Sequence, residues 1–163
     1  IWLLKALRLL KDSNKIIPLL IIEGEGSERE FLEKFILENN LNEDVKLIGS
    51  TTHIFNLLNA SDVIVLPTTG KEDFPNVIIE AMSMGKPTIG TRIAGIPEQI
   101  EDSINGFLVE PKNEKELAIA IHKFMDTKIV NSFSEKAKEK FNLNYKVEIS
   151  LKKYIKLYET INK

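Results

Sequence analysis

The chain has 163 residues, 43% of them hydrophobic, with only 8 Gly and 6 Pro, which suits one ordinary domain with a real core and excludes a disordered chain. Lys and Arg total 22 against 24 acids, a net charge of -2, so the overall field makes no case for nucleic acid or an anionic membrane as partner. With no Cys there is no disulfide framework, thiolate nucleophile or Cys-based zinc site, and no apolar run approaches the roughly 18–20 residues of a membrane span.

In chain order, residues 1–11 (IWLLKALRLLK) predict an amphipathic helix with Leu3, Leu7 and Leu10 on one face and Lys5 and Arg8 away from it. IPLLIIEGEG at 17–26 is a short apolar run ending in glycines, the pattern of a strand buried on both faces. Ser27 and Glu30 then form a capping-box pattern for the helix SEREFLEKFILENN. VKLIG at 45–49, DVIVLPTT at 62–69, KPTIGTR and INGFLVEP are four further strands, the last opening with the Asn105-Gly106 turn signal. Between them lie a short helix at 53–61, a helix from about Pro75 to Met84 and a helical turn at IPEQIED. The remainder is helical, and its last segment places Leu151, Ile155 and Tyr158 inward and Lys152, Lys153 and Lys156 on a solvated face, with contact to a membrane surface as the weaker reading.

Strands alternating with helices indicate an α/β fold, a Rossmann-like open parallel sheet flanked by helices, with a helical C-terminal tail packed on or beyond the sheet. The expected organisation is one domain over residues 1–163. Such a sheet normally opens with a strand, whereas this sequence opens at Ile1 directly in a helix; the chain therefore reads as a piece of something longer, with a central strand expected upstream.

The helix near 75–84 carries an acid, Glu80, on an otherwise apolar run, and a second acid, Glu72, lies on the loop before it. Asp73 is the expected N-cap, Pro75 fits the first turn and Gly85 lies just past the end. Val77, Ile78, Ala81, Met82 and Met84 cover one side; Asn76, Glu80 and Ser83 share the other arc. In open α/β sheets ligands sit beyond the carboxyl ends of strands, free N–H groups at a helix start suit phosphate, and a carboxylate nearby can accept from a sugar diol. On spacing alone, two acids eight residues apart specify little, and a solvated helix edge with a polar loop is the plainer reading.

The run E-D-F-P-N-V-I-I-E-A-M-S-M-G-K-P-T-I-G-T-R-I-A-G-I-P-E, from Glu72 to Glu98, resembles the signature of the group-1 glycosyltransferases, retaining enzymes of the GT-B fold. Its marks are an acid, seven residues, a second acid, Ala81-Met82, Gly85 and Pro87, and Gly95-Ile96-Pro97-Glu98; GEG at 24–26, VKLIG, ASDVIVLP and Asn105-Gly106 also match, in order. The resemblance runs from about residue 3 to the C-terminus and is to the donor-binding domain only. It implies that Glu80 holds ribose hydroxyls of a nucleotide and that Glu72, the catalytic position, orients hydroxyls of the donor sugar. It implies further that the N–H groups of Phe74, Asn76 and Val77 meet diphosphate or sugar, that Ser50 and Thr51 lie beside the base, and that Gly24 and Gly26 allow close backbone approach.

The same resemblance implies no cofactor and no metal: the substrate is a nucleotide diphosphate sugar, with a UDP-sugar the leading expectation. The acceptor, a sugar, lipid-linked or other hydroxyl compound, would bind a second domain outside this sequence, and polysaccharide or glycoconjugate assembly in the cytoplasm, with peripheral contact at the membrane face, is the expected setting. Nucleic acid is not an expected partner. Two departures stand out: Asp73 where Gly is common, and Ala94-Gly95 for the usual Gly-Gly. The family's diphosphate-binding Arg and Lys belong to a segment before the first helix, so the chain alone is expected to bind donor weakly and to lack transferase activity. Alternatives are a non-catalytic nucleotide-sugar-binding module and a GT-B-fold nucleotide-sugar epimerase. Gly24-x-Gly26 is not a full dinucleotide fingerprint because position 29 is Arg, and His53 and His122 have no Cys or His partner for a metal or triad. Arg92 could approach phosphate or simply pair on the surface.

Overall fold

The computed structural model describes residues 1–70 and 72–161. Helix α1 (Trp2–Asp12) buries Leu3, Leu4, Ala6, Leu7 and Leu10, while Arg8 pairs with Asp12 and the Lys5 ammonium lies 4.2 Å from the Trp2 ring. Strand β1 (Leu20–Glu23) follows, then α2 (Arg29–Glu38), β2 (Val45–Gly49), α3 (Ile54–Ala60) and β3 (Ile64–Leu66). Next come α4 (Asn76–Ser83), β4 (Thr88–Thr91), α5 (Ile96–Gln99) and β5 (Gly106–Val109). Three helices end the chain: α6 (Glu114–Lys123), α7 (Thr127–Asn144) and α8 (Val147–Ile161).

All strand pairing is parallel, as the alternation of elements predicts, but it falls into two sheets: β1 beside β2, and β3-β4-β5. Leu20 pairs with Val45 in the first, and Ile64 with Thr88 and Thr88 with Gly106 in the second. The main core joins both: α1 and α6 pack with Ile36, Leu41 and Val45 from one side and with Ile89, Phe107 and Val109 from the other. Phe107, Phe124 and Phe133 form an aromatic knot there, with centroids 4.8–5.5 Å apart. A second cluster of Ile78, Met82, Ile96, Ile100, Leu108 and Ala137 fixes α4 against α5, β5 and α7.

Several expectations are corrected. β1 is not closed on both faces, since Ile21 and Glu23 are exposed. No capping box forms: α2 starts at Arg29 with Glu28, not Ser27, as N-cap and no side-chain cap, and Arg29 is held between Glu25 and Glu33, at 2.9 Å each. The tail helix does not bury its apolar stripe. No residue of α8 is buried, and Leu151, Ile155 and Tyr158 are 57%, 50% and 63% exposed. Periodicity identifies an apolar face but not the surface that covers it.

Candidate functional site

β3 ends at Leu66, and the chain crosses a loop to reach α4. Distant residues fix that loop. The Gly95 N–H donates to the Asp73 carbonyl at 2.7 Å, and the fully buried Gln99 donates from Nε2 to the Pro75 carbonyl at 3.0 Å. A Cβ on Gly95 would stand 2.5 Å from the Asp73 carbonyl oxygen and 2.7 Å from the Phe74 ring, so only glycine allows this approach. Ile96 anchors the turn in the second core, and the Phe74 ring lies 6.2 Å from that of Tyr145. Burial holds the Tyr145 phenol above its ordinary value, and the Glu98 charge adds to this.

This clamp corrects the predicted cap. Asp73 does not cap α4: Pro75 is the N-cap, no side chain bonds the helix start, and Asn76 is the first helical residue. The Asp73 carbonyl is already tied to Gly95, which holds that residue outside the helix. At the other end the expectation holds, with Gly85 at φ +68° just past the C-cap Met84 and Lys86 N–H donating to the Ala81 carbonyl at 2.8 Å. Ala94 takes φ +47°, a left-handed backbone in which glycine would be unstrained, so alanine there carries a backbone cost.

Ile78, Ala81 and Met82 of α4 are buried and Val77 is half-buried, leaving Asn76 exposed and Glu80 half-buried at the border. Glu72 is half-buried on the loop. Among the described residues neither carboxylate has a hydrogen-bond or ion-pair partner; Ser83 Oγ, at 2.6 Å, donates to the Glu80 carbonyl and not to its side chain. Nor does any acceptor among the described residues take the N–H of Phe74, Asn76 or Val77. Two acids thus flank a helix start whose first donors are unused, beyond the carboxyl end of a parallel strand. Neither acid lines either of two shallow surface hollows, one bounded by Arg29, Glu33 and Lys46 and the other by Asp102, Phe107 and Glu116.

The remaining predicted residues form a second group at the tips of β1 and β2. Gly24 N–H donates to the Gly49 carbonyl at 3.0 Å, and Thr51 N–H to the Glu23 carboxylate at 3.0 Å. Gly24 needs glycine for its φ of +125°; Gly26 does not, and a side chain at Gly26 would meet no atom within 4 Å. Ser50 is exposed and Thr51 half-buried. No hydrogen bond or ion pair among the described residues joins this group to the Glu72–Glu80 group. Sequence reasoning missed Glu23, which ties the two tips, and Gln99, whose signal was its place directly after Gly-Ile-Pro-Glu.

Arg92 pairs with Asp102 at 2.9 Å and Glu110 at 3.5 Å, a surface role. His53 and His122 are exposed, and among the described residues no group of three His, Cys, Asp or Glu could hold a metal ion.

The family model for glycosyl transferases group 1 matches residues 2–140. The chain is 32% identical over 143 residues to an N-acetyl-alpha-D-glucosaminyl L-malate synthase of Bacillus anthracis, covering 87% of this chain and 36% of that protein. It is also 32% identical over 142 residues to an alpha-1,3-galactosyltransferase of Escherichia coli that acts on UDP-Gal and alpha-D-GlcNAc-diphosphoundecaprenol, covering 83% and 36%. Among solved structures it resembles a glycosyltransferase of Rickettsia africae (TM-score 0.85, 28% identity, 99% of this chain and 44% of that one). HepE of Anabaena in complex with UDP is similar (TM-score 0.84, 27% identity, 97% and 44%). The chain spans less than half the length of each of these proteins.

Proposed function

The chain belongs to the group 1 glycosyl transferase family, and from that membership we propose that it is the donor-binding half of a retaining hexosyltransferase using a nucleotide diphosphate sugar. The observation that carries this reading is the pair of acids, Glu72 and Glu80, without a partner among the described residues, on either side in sequence of N–H groups at the start of α4 that no described acceptor takes. Glu80 accepts from the ribose hydroxyls. Glu72 accepts from hydroxyls of the sugar and orients its anomeric carbon. The N–H groups of Phe74, Asn76 and Val77 take diphosphate or sugar oxygens, where the positive end of the helix offsets the charge that grows on the leaving group. Ser50 and Thr51 border the base, and Gly24 and Gly26 keep that wall free of side chains.

UDP-sugar is the donor we favour; HepE of Anabaena, a structural relative, is known in complex with UDP-glucose. No cofactor or bound metal is assigned, the diphosphate being offset by helix amides and by cations outside this chain. The acceptor hydroxyl, sugar or lipid-linked, comes from a second domain, and closure of the two would complete the site. No described helix is long and apolar enough to cross a membrane. A cytoplasmic enzyme of polysaccharide or glycoconjugate assembly, touching the membrane only at its face, is the setting we propose.

Calorimetric titration of the chain with UDP, GDP and ADP tests this directly. One nucleotide should bind weakly, and Glu80→Gln should weaken it about 10-fold or more while leaving the urea midpoint in place. Binding indifferent to Glu80→Gln, or absent also when the chain is joined to an acceptor domain, would sink the proposal. Sugar transfer should appear only in the joined form.

A further inference from the structure

A trans peptide unit is planar, and its C=O and N–H point to opposite sides. Pinning a carbonyl therefore aims the N–H that follows it. The Asp73 carbonyl is held by the Gly95 N–H, so the Phe74 N–H points away from the Gly95 turn. The Pro75 carbonyl is held by buried Gln99, so the Asn76 N–H points away from that amide. Neither N–H meets an acceptor among the described residues. Between these two aimed donors lies a single peptide unit that nothing pins. Its nitrogen is that of Pro75, which has no hydrogen, and its carbonyl, that of Phe74, accepts no hydrogen bond among the described residues.

The joint between the two aimed units is thus the backbone of Phe74, and only its ring is left to fix it. That ring is 42% exposed and has two close supports. It lies against Gly95, where a Cβ would stand 2.7 Å from Phe74 Cδ2, and against the Tyr145 ring, with centroids 6.2 Å apart and planes inclined by 54°. Tyr145 is the C-cap of α7, and its N–H donates to the Phe141 carbonyl at 2.9 Å. Among the described residues 142–148, Tyr145 alone is not exposed. It packs, with Phe141, on the cluster that contains Ile78 and Met82 of α4. One side chain therefore touches both the body of α4 and the loop that starts it.

Given the donor-site reading, we propose that Tyr145 is a positioning residue for the diphosphate: its ring fixes Phe74, and so sets the angle at which the Phe74 and Asn76 N–H groups converge on one anion. It acts through Phe74 and not on the ligand. A nucleoside, which has no phosphate to offer those N–H groups, is indifferent to it.

The test titrates the chain, Tyr145→Leu, Tyr145→Phe and Glu80→Gln by NMR with UDP, GDP and ADP, each beside its own nucleoside. For the nucleotide that binds, Tyr145→Leu should weaken the diphosphate about 5-fold and leave the nucleoside unchanged, while Tyr145→Phe, which keeps the ring, should match the parent. Tyr145→Met takes the place of Tyr145→Leu if the latter does not fold, as read from urea midpoints. Equal weakening of nucleotide and nucleoside would overturn the proposal and leave Tyr145 a packing residue. Failure of Tyr145→Phe to match the parent would also overturn it, by moving the effect to the hydroxyl. A nucleotide weakened by Glu80→Gln but untouched by Tyr145→Leu would overturn this proposal alone. Binding indifferent to Glu80→Gln, or absent also in the chain joined to an acceptor domain, would sink the donor-site reading and the role of Tyr145 with it.

Discussion

The segment from β3 to β5 alternates three strands with two helices and the segment from β1 to β2 is a single strand–helix–strand unit, and glycines at particular places in them behave differently. In the first, Gly90, Gly95 and Gly106 are demanded by protein atoms: a Cβ on Gly106 would collide with the Thr88 carbonyl, and one on Gly90 would stand 2.6 Å from Ile100. In the second, Gly26 faces open space. Gly70 in the first segment also faces open space, and a Cβ on Gly49 in the second would meet the Glu25 carboxylate at 2.6 Å, so it is the place of each glycine, not its segment, that decides whether packing demands it. The same motif type therefore carries two meanings, and only geometry separates them.

The sharpest break of this comparison is a pair of alanines. Gly106→Ala should cost about 3 kcal/mol in urea unfolding, because backbone, not a flexible side chain, must yield. Gly26→Ala should stay within about 0.5 kcal/mol and show itself, if anywhere, in nucleotide titration. Equal costs would erase the distinction. Next in size, Gln99→Ala should cost about 2 kcal/mol, since it strips the Pro75 carbonyl of its side-chain donor and leaves a cavity where the residue is wholly buried. Because Gln99 acts on the loop and not on a ligand, nucleotide binding should weaken while remaining sensitive to Glu80→Gln. Ala94→Gly should run the other way, gaining up to about 1 kcal/mol by relieving a left-handed alanine, read from the same unfolding curves.

The smallest effect concerns pH. The Tyr145 phenol is held above its ordinary value near 10 by burial and by Glu98, so the folded chain favours the protonated form. Its contribution is complete below about pH 10 and is lost as pH rises from there toward the raised folded value. Melting temperatures between pH 9 and 11 should fall less steeply in Tyr145→Phe than in the parent.

Much of this architecture was legible because it depends on neighbours in sequence. The apolar runs VKLIG and TIGT gave strands, the stripe of α1 gave a buried helix, and Gly85 gave a helix end. What failed depends on residues far away. Asp73 has the composition of an N-cap, but the turn at Gly95 takes its carbonyl, and Ser27 lies one residue ahead of the N-cap that the fold uses, Glu28. The acids Glu72 and Glu80 stand out by motif as candidates, whereas Gln99 does not, since a buried amide bonding a carbonyl 24 residues back leaves no periodic trace. Exposure of Leu151, Ile155 and Tyr158 was illegible for the same reason.

The tie between Gly95 and Asp73 has an engineering consequence. Residues 72–99 behave as one cassette, in which the later turn is the jig that shapes the earlier loop. Anyone transplanting the two acids into another parallel scaffold would have to move the distal glycine, isoleucine and glutamine as well, or the graft would arrive with its side chains intact and its shape gone.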